Sequence, residues 1–133
     1  MYFSKDGIIE RKLRQLKHFI HDDVLLIPQW SSRSAVYLGG SGYGPVTADQ
    51  KPFCIGDTWE CHDNFTRWFA AEITVPQHFE GKTLALELEF GGEGIVRANG
   101  HILSSITSYL EPQGATRTRV LLAPRAQAGT RYC

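Results

Sequence analysis

Trp68-Phe69-Ala70-Ala71-Glu72-Ile73-Thr74-Val75-Pro76, Thr83-Leu84-Ala85-Leu86-Glu87-Leu88-Glu89-Phe90 and Gly94-Ile95-Val96-Arg97-Ala98-Asn99-Gly100 are the runs that decide the fold. In the second, Leu84, Leu86, Leu88 and Phe90 alternate with Thr83, Ala85, Glu87 and Glu89. Strict alternation marks a strand with one buried and one wet face. The first run, a strand over 68–75, is closed by Pro76. The third ends in Asn-Gly, which supplies the positive φ values of a tight hairpin turn, so residues 101–106 should pair back on it. Further out, residues 116–122 read as a strand ending at Pro124, and Ala128-Gly129 reads as a turn with another strand expected after it. Leu25-Leu26-Ile27-Pro28 and residues 34–38 read as short edge strands. The strand count and turn spacing predict a mostly β chain: an antiparallel β-sandwich of the jelly-roll, galactose-binding-like kind.

One helix precedes it, from about residue 7 to 21. Ile9, Leu13, Leu16 and Ile20 recur at helical spacing, while Arg11, Lys12, Arg14 and Lys17 gather away from them,. Asp6 is the expected N-cap. With a single helix, the apolar stripe must pack on a sheet or on a neighbouring domain. We divide the chain into a helix and connection over 1–24 and a sandwich over 25–133, forming one folding unit and expected to be truncated on its C-terminal side. Within the latter, Gly39-Gly40-Ser41-Gly42-Tyr43-Gly44 reads as a mobile surface loop. No Lys-Ser/Thr follows these glycines and no βαβ unit surrounds them, so a phosphate cradle is excluded,.

The 133 residues carry 14 Lys and Arg against 14 Asp and Glu, so nothing global steers the chain toward nucleic acid or an anionic membrane,. The N-terminus lacks the basic start and apolar centre of a secretion signal, which makes the cytoplasm the expected location. The odd cysteine count (Cys54, Cys61, Cys133) fits reduced thiols, and Asn64-Phe65-Thr66 should then stay unglycosylated,. Adjacent Cys61 and His62 diverge in an extended segment, so no metal site is expected with Cys54 or Asp63. Glu87 with Glu89, and Asp22 with Asp23, read as solvated charges. No nucleophile elbow is present, so no catalytic residue is expected.

The aromatics are the remaining candidates. Sugar rings stack on exposed indole faces, so Trp30, Trp59 and Trp68 with Asp57 could form a mannoside shelf; equally, each tryptophan is natural material for a core or a domain contact. Glu93, flanked by glycines, could cap backbone amides in a turn or reach a neighbouring domain.

Several motifs carry a family resemblance. The run over 68–76, Phe79-Glu80-Gly81-Lys82 and Gly91-Gly92-Glu93-Gly94 are similar to the non-catalytic jelly-roll modules at the N-termini of glycosidases. Together with Arg11-Lys12-Leu13, Ile27-Pro28-Gln29-Trp30 and Ile55-Gly56-Asp57-Thr58-Trp59, the succession resembles the N-terminal domain of cytosolic-type α-mannosidases of glycoside hydrolase family 38. The resemblance implies a parent enzyme with a retaining two-carboxylate mechanism and a zinc ion gripping the mannose hydroxyls, both in a following α/β domain. That domain's His-x-Asp-x-Ala-Trp signature is not in this sequence, so neither catalytic residue nor cofactor is assigned here. The implied partners are the catalytic domain and, through it, an α-mannoside oligosaccharide; no nucleic acid and no membrane are expected, and a homo-oligomer is compatible. Two roles follow: an accessory domain packing on the catalytic domain, or an independent carbohydrate-binding module. The leading helix, which a free-standing module would not need, favours the first.

Overall fold

The computed structural model describes residues 5–16, 21–48, 52–60, 63–107 and 116–133. Helix α1 spans Lys5–Leu16, and β1 (Gln29–Val36), β2 (Thr47–Ala48), β3 (Phe53–Cys54), β4 (Phe65–Ala70), β5 (Ile73–Thr74), β6 (Leu84–Glu87), β7 (Glu93–Ala98), β8 (His101–Thr107), β9 (Arg119–Ala123) and β10 (Arg131–Tyr132) follow. The chain is mostly β with antiparallel pairings and one N-terminal helix, as its alternation requires. Asp6 lies within the helix rather than capping it, and His21 is outside it. The predicted stretch over 17–20, with Lys17 and Ile20, lies outside the described residues, as do Cys61 and His62.

β1 is the centre of a four-stranded sheet: β4 pairs with it from Ser31↔Ala70 to Val36↔Phe65, β2 at Arg33 and Ser34, and β3 at Gln29 and Trp30. Among the described residues there are also three two-stranded sheets, β5 with β10, β6 with β9, and β7 with β8. The run over 68–76 forms two strands, because after Ala70 the chain exchanges its partner: β4 bonds to β1, whereas β5 bonds to β10. Leu25-Leu26 forms no strand and stays exposed, and the Ile27 carbonyl accepts from the Trp30 indole at 3.0 Å. The strand expected after Ala128-Gly129 is β10. The Asn99-Gly100 turn has φ of 50° and 82°, positive at both positions as the two-residue primed hairpin requires,.

Alternation along 84–90 is realised residue by residue. Leu84, Leu86, Leu88 and Phe90 are half-buried while Ala85, Glu87 and Glu89 are exposed. They feed two apolar centres: Val75, Phe79 and Ala126 with Leu84 and Tyr132, and Val96, Ile106 and Val120 with Leu86, Leu88 and Phe90. Gly94 allows the second to close, since a Cβ there would lie 3.1 Å from Phe90 Cζ.

Two tethers hold the chain's extremities. The connection after the helix is tied down by charge, with Lys82 Nζ 2.7 Å from Asp22, His78 3.2 Å from Asp23, and Glu87 contacting both Arg119 (3.1 Å) and His21 (3.5 Å). At the other end, Asn99 donates its side-chain amide to the Arg131 carbonyl (3.1 Å) and accepts from the Cys133 backbone N–H (3.0 Å), while its own N–H donates to the Cys133 carbonyl at 2.8 Å. The apolar stripe of helix α1 stays largely exposed. Ile9, Leu13 and Leu16 are 56%, 57% and 57% exposed.

Candidate functional site

Alternation along β4 places Phe65, Arg67 and Phe69 on one face and Thr66, Trp68 and Ala70 on the other,. The first face is packed. Trp59 lies nearly parallel to Phe65 (6.4 Å between centroids, 26°) and edge-on to Phe69 (6.0 Å), and its Nε1–H donates to the Phe90 carbonyl at 2.9 Å. Phe53 meets Phe69 at 4.9 Å, and the Arg67 guanidinium sits over both rings while donating to the hydroxyl of buried Ser32 at 3.0 Å. Trp30, of the same strand parity as Ser32, stands opposite Phe53. Both indole N–H groups on this side are satisfied by backbone carbonyls, as burial of their rings demands.

The structure therefore puts Trp30 and Trp59 on the packed side and Trp68 on the other. Asp57 serves its own turn: its carboxylate accepts from the Cys54 N–H at 2.8 Å and its N–H donates to the Cys54 carbonyl at 3.0 Å. Such Asx bonding fixes a turn around Gly56, whose φ is 96°,. Glu93 opens β7 opposite Thr107 and is exposed, making no side-chain hydrogen bond or ion pair among the described residues.

The opposite face of the sheet is less covered. Trp68 pairs across the strands with Arg33, whose guanidinium carbon is 5.7 Å from the indole centroid. Tyr43 meets Trp68 edge-on at 4.9 Å, and Tyr37 meets Tyr43 at 5.3 Å. The glycine-rich segment expected to be a mobile loop is a hydrogen-bonded hairpin. Tyr37 and Tyr43 form an antiparallel bridge, with Leu38 N–H to Gly42 O at 2.7 Å, Gly44 N–H to Val36 O at 2.9 Å and a 3₁₀ turn over Gly39–Ser41. Glycine at 39 and 42 takes the positive φ values of 68° and 86° that the reversal needs,. Sequence reasoning missed Arg33, Tyr37 and Tyr43. The signal was present as two tyrosines bracketing a glycine-rich turn, the cross-strand aromatic pair of a hairpin.

Among the described residues no three His, Cys, Asp or Glu side chains gather where they could hold a metal, and no helix is long and apolar enough to cross a membrane. Glu87, the last residue of β6, and Glu89, two positions beyond the strand, are both exposed, with Glu87 engaged by Arg119.

The fold is that of a jelly-roll β domain. Residues 40–133 match the family described as alpha-mannosidase, jelly roll domain, and the chain belongs to that family. Helix α1, the connection and β1 lie ahead of the matched region. Comparison with curated proteins and with solved structures gives no match.

Proposed function

We propose that this chain is the N-terminal accessory domain of a cytosolic-type α-mannosidase of glycoside hydrolase family 38, and that α1 docks it on the catalytic domain. Family membership over 40–133 supports the mannosidase context. The observation that carries the docking role is the exposed stripe of Ile9, Leu13 and Leu16, bordered by Lys12 and with the exposed Glu10–Arg14 pair to one side. Apolar side chains repeated on one helix face gain from burial only against another surface. Zinc and the two reacting carboxylates belong, in this proposal, to the catalytic domain, and no step is routed through residues of this chain. The cytoplasm is the proposed location.

The experiment mixes the purified chain with the catalytic domain of its parent enzyme. One-to-one co-elution on size exclusion, lost on the double substitution Ile9→Lys, Leu13→Lys, is the expected result. Absence of a complex overturns the docking role, and hydrolysis of a chromogenic α-mannoside by the chain alone overturns the accessory assignment.

A further inference from the structure

Trp68 on the outer face of β4 and the two tyrosines of the hairpin that follows β1 are left partly open by packing within the chain. Tyr37 and Tyr43 are 45% and 49% exposed and Trp68 is half-buried, and their centroids follow one another over at most about 10 Å. The hairpin that presents the tyrosines is fixed by its backbone hydrogen bonds, so the rings are held in place before any ligand arrives,. Its tip casts no shade: a Cβ added at Gly39, Gly40 or Gly42 would meet nothing within 4 Å.

Donors rim this platform. The two phenols and the Arg33 guanidinium have no hydrogen-bond or ion-pair partner among the described residues, and the guanidinium stands over the Trp68 ring. Apolar ring faces edged with unspent donors match a pyranose, which offers a C–H surface on one side and hydroxyl acceptors around its edge. The area is also too small for a stable protein partner, since three partly covered aromatics offer on the order of a few hundred Å² against the roughly 1,200 Å² of a specific protein interface.

We propose that Tyr37, Tyr43, Trp68 and Arg33 form a holding site for an α-mannose-containing oligosaccharide, separate from the α1 docking stripe. The choice of mannose rests on the accessory role proposed above, whereas the platform rests on geometry alone. In this arrangement the sugar stacks along the tyrosines and Arg33 donates to its hydroxyls. Binding is weak and requires more than one sugar ring, since no single aromatic is fully open.

The test is calorimetric titration of the full chain with α-linked mannotriose and with methyl α-mannoside, followed by two-dimensional NMR of the same samples. The expected result is saturable millimolar binding of the trisaccharide, at least about tenfold tighter than the monosaccharide, with shift changes confined to the 33–44 and 66–70 segments. Tyr43→Ala should weaken it at least about tenfold. Tyr43→Phe, which keeps the ring, should retain most of it and shows that loss in the alanine variant is not unfolding. Absence of saturable binding, shift changes elsewhere, or undiminished affinity in Tyr43→Ala overturns the proposal. So does burial of Tyr43 against another domain in the longer enzyme, seen as loss of its accessibility to a tyrosine-directed reagent. Because the titration uses the chain alone, its outcome is independent of whether α1 docks on a catalytic domain.

Discussion

Asn99 combines a turn conformation with two side-chain bonds. Its φ of 50° is tolerated by asparagine, and its side chain both donates to and accepts from the C-terminal strand,. Asn99→Ala should therefore destabilise by about 1–3 kcal/mol, the usual cost of leaving such groups unpaired. Asn99→Gly, which restores backbone freedom without the side-chain bonds, should recover only part of this, and chemical denaturation of both variants measures the split. The Asn-Gly turn was legible in the sequence because its chemistry is local. The capture of Arg131 and Cys133 was not, since it joins residues more than thirty positions apart. Asp57 illustrates the same limit: its residue type fitted a sugar contact, but in the fold its carboxylate is bonded to the Cys54 N–H.

Among the elements, α1 and β8 offer opposite responses to similar changes. Ile106 is 5% exposed and sits in the centre with Val96 and Val120, so Ile106→Ala should cost about 2–5 kcal/mol,. Leu13→Glu should stay within about 0.5 kcal/mol in the isolated chain, because Leu13 is more than half exposed and has little packing to lose,. Comparing the two denaturation midpoints tests whether the helix stripe is spare surface. The burial alternation over 84–90 was readable because side-chain period alone dictates it, although the strand itself ends at Glu87. Strand pairing was less so. That β6 lies beside β9, and that β5 leaves β4 to join β10, are long-range choices that no short window encodes.

For the whole molecule, acidity and association are the accessible readouts. The hydrogen bond from Lys82 holds the Asp22 carboxyl below its ordinary 3.8, and Asp22 in turn raises Lys82 above its ordinary 10.5. A depressed carboxyl contributes stability above its unfolded value and loses it as pH falls through the lowered one; a raised ammonium contributes below its unfolded value and loses it as pH rises through the raised one. The difference in melting temperature between the parent chain and Asp22→Asn should thus be small, level from about pH 5 to 9, and vanish in strong acid. Added salt should shrink it, because the pair is exposed,. Light scattering gives the second readout. With Leu13, Leu16, Leu25 and Leu26 all exposed, the isolated chain should self-associate with rising concentration, and Leu13→Lys with Leu16→Lys should reduce this,.

The tie between Asn99 and the C-terminal strand also sets how the protein ages. An asparagine followed by glycine is the pair in which the next backbone nitrogen most readily attacks the side-chain amide, expelling ammonia to close a succinimide that water then opens to a carboxylate. At position 99 that carboxylate could no longer donate to the Arg131 carbonyl and would instead set one acceptor against another,. Slow deamidation would thus remove one of the three bonds between the hairpin tip and the C-terminal segment, leaving those to Cys133, and the intact mass of a stored sample, about one dalton heavier per event, would count the events,.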